Sequence, residues 1–288
     1  MRMLIEIPKQ SGKTGMLQLS DLPQVNYDSD KSLSNRRAIY SFERDKFKYE
    51  FILSKNLERS DRLFILFSGD AVRSQYDPPI FQRWSWADKF PGHCLYISDP
   101  SLHLHSRLGL AWYAGTKKHE PMQVISELVS EIAQKLEVDV SKVISYGSSG
   151  GGFAALRFGA FHRGSSVVTV NPQTDVTKYD ITKVTRYLKI CFKVDDFDLA
   201  LKTWPEKLSI LNLADKLIDT KIVYIQNRLD DRHYGIHFLP FAEKMGLSES
   251  NGFESEKIKT IIFEHEGGHT KAETSEVFTQ AMSIVTSW

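Results

Sequence analysis

A serine, an aspartate and a histidine stand along this chain in an order and in local settings suited to nucleophilic acyl chemistry. Tyr146-Gly147-Ser148-Ser149-Gly150-Gly151 contains G-x-S-x-G with Ser149 at its centre. An apolar run leads into it and an alanine-rich segment, Gly152-Phe153-Ala154-Ala155-Leu156, leaves it. A strand running into a sharp turn and out into a helix presents the central serine as a nucleophile. Glycines at 147 and 151 remove side chains that would strike the neighbouring strand and helix. The Gly150 amide, at the positive end of the helix, then points toward the oxyanion of an acyl intermediate. A phosphate-binding turn would share the glycines, but it needs Lys before Ser/Thr or a G-x-G-x-x-G spacing, and neither is here. Ser148 is one place off the tip.

A serine becomes a nucleophile when an imidazole takes its proton and a carboxylate holds that imidazole. His162, His233, His237, His265 and His269 follow Ser149. His269, in Glu266-Gly267-Gly268-His269, lies on a flexible loop past the last strand and is the expected base; His265, nearer the strand, is the rival. The acid is expected after the preceding strand, in Asn227-Arg228-Leu229-Asp230-Asp231-Arg232-His233, with Asp230 favoured and Asp231 adjacent. Asp175 is a weaker alternative that suits a cap. The second oxyanion donor is expected in Ser68-Gly69-Asp70, from the amide of Asp70 or of Ala71.

These groups need a scaffold that delivers loops to one place. Leu63-Phe64-Ile65-Leu66-Phe67 and residues 93–97 are unbroken apolar runs, as in strands buried on both faces. Residues 121–138 carry apolar side chains at the spacing of an amphipathic helix. Strands are expected at 143–146, 167–170, 222–226 and 259–263, and helices at 153–161, 238–245 and 273–288. Residues 3–7 and 48–53 suit strands, and 35–43 is ambiguous. The alternation predicts an α/β fold with a doubly wound, mostly parallel sheet, whose loops past the strands' carboxyl ends carry the site. Residues 175–219 break the rhythm with charged turns and Trp204-Pro205, as an inserted helical cap would. Residues 1–61, too poor in apolar groups for a core of their own, are expected to be an N-terminal β extension to a domain spanning 62–288.

The 288 residues are 41% apolar and 25% charged, with a formal net charge of +1, as in an ordinary globular protein. The balance argues against nucleic acid as the main partner. Cys94 and Cys191 are far apart in sequence and expected to be reduced. The N-terminus lacks the apolar stretch of a signal peptide, no segment is long enough for a transmembrane span, and the cytoplasm is the expected location. His103-x-His105 lacks a third ligand nearby, so no metal is expected. Trp84, Trp86, Trp112 and Tyr113 suit core or pocket rim, and Arg73, Arg83 and Arg107 an ordinary solvated surface. No pattern specifies an oligomeric state.

The strand–turn–helix around Ser149, Asn227-x-x-Asp230-x-x-His233 and Gly267-Gly268-His269 together resemble the α/β-hydrolase superfamily over residues 62–288. More narrowly, Tyr146-Gly-Ser-Ser-Gly-Gly-Gly-Phe with Val170-Asn-Pro-Gln-Thr-Asp175 and Gln226-Asn227 is similar to hydrolase-fold proteins of bacterial capsule and surface-glycan biosynthesis, some of them serine-dependent polysaccharide O-acetyltransferases. The resemblance implies a Ser149–His269–Asp230 triad with Gly150 and Asp70 at the oxyanion. It implies an esterase or O-acyltransferase acting on a small-molecule ester or glycan. No bound cofactor is expected, and acetyl-CoA would be the acyl donor of a transferase. The contrasting expectation is a catalytically silent hydrolase fold serving as a glycan-binding or scaffold subunit.

Overall fold

The apolar runs and the amphipathic segments between them resolve into one nine-stranded sheet with helices on both faces, in a computed structural model that describes residues 19–288. The strand expected at residues 3–7 lies outside the described residues. In chain order the strands are β1 (Gln24–Asn26), β2 (Ile39–Arg44), β3 (Phe47–Ser54), β4 (Leu63–Phe67), β5 (His93–Ile97), β6 (Val143–Ser148), β7 (Ser166–Val170), β8 (Lys221–Asn227) and β9 (Ile258–Phe263). Their spatial order is β1-β2-β3-β5-β4-β6-β7-β8-β9. From β5 through β9 every pairing is parallel, while β3 runs antiparallel to both β2 and β5. The sheet is thus mostly parallel, as the apolar runs predict. The ambiguous segment 35–43 supplies β2, which turns into β3 through Asp45 and Lys46, both left-handed, a pairing that suits a tight hairpin.

Each central strand feeds both cores. Leu63, Ile65 and Phe67 of β4 point to one face, and Phe64 and Leu66 to the other. The first face is covered by α1 (Pro121–Lys135) and α2 (Gly150–Phe161). In α1, Ile125, Leu128, Val129 and Ile132 are buried along one stripe, and Pro121 opens the helix behind the Glu120 cap. The second face is closed by the short helical turn Trp84–Lys89 and by α9 (Ser275–Thr286), where Phe278 packs on Phe90 and Tyr146.

Between β7 and β8 the chain makes four short α-helices, α3 (Ile181–Tyr187), α4 (Phe197–Thr203), α5 (Pro205–Leu208) and α6 (Ala214–Leu217). Asp180 and Asp196 cap the first two, and Pro205 starts the third, so the charged turns and the Trp204-Pro205 step mark helix boundaries. After β8 come the single turn α7 (Asp231–His233) and α8 (Leu239–Lys244). None of the helices among the described residues is long and apolar enough to cross a membrane.

Strand order reverses between β4 and β6: from β4 the chain moves outward to β5, then returns to the other side of β4 as β6. At such a switch point the loops past neighbouring strands diverge and leave a crevice. The loop after β4 carries Gly69-Asp70, and Ser149 follows directly on β6.

A buried ion pair holds this end of the sheet to the last loop. Arg83 donates from Nε to Glu273 Oε1 (2.8 Å) and from Nη2 to the other carboxylate oxygen. Tyr146 Oη donates to the same carboxylate (2.7 Å). Burial works against the Glu273 charge, but Arg83 beside it prevails and holds the carboxyl below its ordinary range. Arg83, expected at the surface, is buried because this pair offsets its desolvation. Glu273→Ala leaves the guanidinium buried and unpaired, and is expected to cost about 3–5 kcal/mol in urea unfolding; a loss below about 1 kcal/mol would contradict the role given to the pair.

Candidate functional site

Ser149 sits between β6 and α2 with φ 55° and ψ −120°, a conformation that costs a non-glycine residue on the order of 1–3 kcal/mol. Close contacts enforce the turn. A Cβ on Gly147 would lie 2.2 Å from the Gly151 carbonyl oxygen, and one on Gly151 would lie 2.5 Å from that of Phe67. Backbone bonds from Ser149 N to Val170 O (2.9 Å) and from Gln173 N to Ser149 O (3.3 Å) tie the turn to β7 and its following loop. The rival hydroxyl, Ser148 Oγ, faces the opposite side and accepts from Arg83 Nη2 (2.5 Å).

Asp230, just past β8, is buried and gathers three side-chain donors, with the His233 amide as a fourth (3.4 Å). Oδ2 accepts from His269 Nδ1 (2.5 Å) and Asn171 Nδ2 (3.1 Å), and Oδ1 accepts from His233 Nδ1 (3.1 Å). Burial alone would raise its pKa, but the two histidines overcome it and hold the carboxyl well below the usual range. Asp231 is exposed, so Asp230 is the carboxylate in contact with His269. His265 is exposed and its Nδ1 accepts from the Gly267 amide (3.0 Å).

Two asparagines lock the loops together. Asn171, in left-handed conformation at φ 39°, accepts from the Asn227 amide (2.8 Å). Asn227 Nδ2 donates to the carbonyls of His265 and Gly268 (both 2.8 Å). The loop carrying His269 is thereby fastened to the end of β8, and Asp230 to the loop after β7.

The sequence brings Asp230 and His269 into contact, yet Ser149 does not hydrogen-bond to His269. His269 Nε2 is buried without a hydrogen-bond partner. Ser149 Oγ instead accepts from Gln173 Nε2 (2.7 Å), which also lies 3.1 Å from His233 Nε2. His233 stacks on His269, ring centroids 3.9 Å apart. Tyr179, from the segment before α3, packs against His233 (ring centroids 6.0 Å) and Trp112 (6.1 Å), and Lys183 and Arg232 lie 5.9 and 5.8 Å from its ring centre.

The expected oxyanion donors belong to the start of α2 and to the loop after β4. Gly150 is the first residue of α2, so its amide has no intrahelical acceptor. In the loop after β4, Gln82 accepts from the Gly69 amide (2.8 Å) and donates to Asp70 O (3.1 Å). The Ala71 amide, the alternative donor, is spent on Gly109 O (2.9 Å), which leaves the amide of Asp70. The Asp70 carboxylate pairs with Lys183.

Gln173 and Tyr179 are the site residues that sequence reasoning did not single out; it named His233 and Trp112 but gave neither a role in the site. His233 had a signal, three residues after Asp230 on one helical turn. Gln173 and Tyr179 had none, because the fold of the 171–180 segment alone brings Gln173 to Ser149 and Tyr179 to His233. Trp112 is fully buried, donating from Nε1 to Gln173 Oε1 (3.1 Å). Tyr113 is likewise core, its hydroxyl between Ser68 N and Ile97 O. Arg73 is spent on the carbonyls of Leu102 and Leu108. His103 bonds Glu50, and Cys94 and Cys191 are free thiols. Asp230, His233 and His269 offer ligand atoms within 4.8 Å of one another, a set able to hold a metal ion. Nδ1 of each of the two histidines is already engaged with Asp230.

His237 anchors this region from behind, accepting from the Thr174 amide at Nδ1 (3.2 Å). Burial, with help from His233, pushes its pKa down to about 3, against about 6.5 unfolded. Between those values the unfolded chain binds a proton that the folded chain refuses, so stability falls as the solution is acidified, by up to about 1.4 kcal/mol per pH unit. His237→Gln is expected to be less stable near neutral pH but to lose less between about pH 6.5 and 5. Urea titrations across that window measure the slope, and one equal to the native chain's would contradict it.

No protein-family model and no curated protein matches this chain. Solved structures do. The chain is similar to the capsule O-acetyltransferase of Neisseria meningitidis serogroup A, with TM-score 0.58 and 16% identity over 85% of this chain and 93% of that one. It is similar to Porphyromonas gingivalis dipeptidyl peptidase 4, with TM-score 0.62 and 13% identity over 88% of this chain and 35% of the peptidase. It is also similar to 2,6-dihydroxy-pseudo-oxynicotine hydrolase, with TM-score 0.60 and 12% identity over 88% and 68% of the two chains. The fold is that of the α/β-hydrolases.

Proposed function

We propose that this α/β-hydrolase-fold chain is a serine enzyme of acyl-ester chemistry, working through an acyl-enzyme on Ser149. One observation carries the reading: a serine strained at φ 55° on a strand-to-helix turn is linked through Gln173 and the His233 ring to an Asp230–His269 pair whose outer imidazole nitrogen has no partner. A silent scaffold has no need of a strained serine beside an unsatisfied acceptor, since each costs stability.

In this mechanism Ser149 Oγ attacks the acyl carbon and its proton passes to His269 Nε2. Asp230 fixes the Nδ1–H tautomer and stabilises the imidazolium. The oxyanion is met by the amides of Gly150 and Asp70. Collapse expels the alcohol or thiol, which leaves with the proton from His269. An acceptor hydroxyl then gives its proton to His269, attacks the acyl-enzyme and releases Ser149. The Ser149–His269 bond forms when substrate enters, as catalytic hydrogen bonds often tighten only in the complex.

The acceptor is water in an esterase and a sugar hydroxyl in an O-acyltransferase. Likeness to a capsule O-acetyltransferase along nearly the whole of both chains supports transfer, with acetyl-CoA as donor and a surface polysaccharide as acceptor. A related structure of that enzyme is in complex with CoA.

A fluorophosphonate probe is expected to label the native chain and the Ser148→Ala variant but not Ser149→Ala. His269→Ala and Asp230→Asn are expected to slow labelling by about 10³- to 10⁴-fold. Absence of labelling in the folded native chain would overturn the enzyme reading in favour of the silent subunit. With acetyl-CoA and oligosaccharides, acetylated sugar identifies a transferase and free acetate alone a hydrolase.

A further inference from the structure

Gln173 is fully buried, and its carboxamide can point only one way. Trp112 Nε1–H is solely a donor, so the group facing it at 3.1 Å must be the Gln173 oxygen. The NH₂ group therefore faces Ser149 Oγ at 2.7 Å and His233 Nε2 at 3.1 Å. With one proton spent on each, His233 Nε2 is an acceptor and its Nδ1–H goes to Asp230 Oδ1. His233 is thereby occupied at both nitrogens, and of the two imidazoles on Asp230 the one with an unpartnered nitrogen is His269.

A donor fixed on the nucleophile's own oxygen has unequal effects on the two halves of an acyl transfer. In acylation it stabilises negative charge as Oγ loses its proton, but it also ties up a lone pair, and these effects oppose each other. In deacylation Oγ is the ester oxygen. There the N–H withdraws density from the ester, so the acyl carbon is more easily attacked, and it stabilises the electron pair that Oγ takes as the bond breaks. Both effects push the same way.

We infer that the Gln173 carboxamide is a catalytic group acting on Ser149 Oγ chiefly in deacylation, an inference that rests on the acyl-enzyme reading above. In the step concerned, the acceptor oxygen bonds to the acyl carbon and its proton goes to His269 Nε2. The C–Oγ bond then breaks, its electron pair stays on Oγ under the Gln173 N–H, and Oγ takes the proton back from His269. A hydrogen bond to a developing charge of this kind corresponds to about a ten- to hundredfold rate effect.

The test compares the full-length native chain with Gln173→Met, which keeps length but has no donor, and Gln173→Glu, which keeps shape and the Trp112 bond but has no N–H. Each is mixed with p-nitrophenyl acetate, turnover is followed by nitrophenolate release, and the acetylated fraction at steady state is read by acid quench and mass spectrometry. Both variants are expected to turn over about ten- to a hundredfold more slowly while their acetylated fraction rises. Slower turnover with an unchanged or smaller acetylated fraction, or unchanged turnover, in the variant that retains the native circular dichroism would overturn the role of Gln173 alone. A native chain that neither acetylates nor turns over would overturn the serine mechanism and this inference with it.

Discussion

The Asp230 carboxylate is buried at the end of β8, and the order of the site depends on keeping it ionised there. A desolvated carboxylate is tolerated only where donors converge on it. His269, His233 and Asn171 supply them, each from a different segment. The requirement runs both ways: the charge needs the donors, and the donors are oriented by the charge. Each imidazole presents Nδ1 to Asp230 and turns Nε2 away from it, and in the neutral ring that nitrogen is the one that can accept a proton.

From that point the constraints pass outward through hydrogen bonds rather than through apolar contacts. Asn171 and Asn227 join the loops after β7, β8 and β9. Gln173 links His233 to Ser149, and Trp112 fixes Gln173. On the other face of β6, the Arg83–Glu273 pair reaches Ser148 and anchors the start of α9. The turn at Ser149 is thus clamped from both faces of the sheet, which is how a strained backbone persists. Apolar burial holds the strands in order, and these polar ties set where their loops end.

Much of the scaffold was legible because its signals are local. The run Leu63–Phe67 could hardly be anything but a strand buried on both sides, and the stripe of Ile125, Leu128, Val129 and Ile132 shows a helix with one covered face. The strand–turn–helix at Ser149 is likewise written in consecutive residues. The ambiguity over 35–43 was real, because β2 is held by its pairing with β3 rather than by its own pattern. Arg83 was read as surface because its partner lies 190 residues away. Gln173 reaches the serine, and Trp112 and Tyr179 the residues beside it, only through the path of the segment after β7 and the packing of the loop after β5, which no periodicity encodes. Contact between Asp230 and His269 was foreseen from chain order; the second imidazole on the same carboxylate was not.

The central claim is that Ser149 carries the acyl group in a covalent ester. The most direct measurement is peptide mapping by mass spectrometry of the native chain, quenched in acid within its first turnovers of an acetyl donor. A single acetyl group on Ser149 is the expected result, removed when the quenched protein is treated with neutral hydroxylamine. An acetyl group on another residue, or product formed while Ser149 stays unmodified at every quench time, would contradict it.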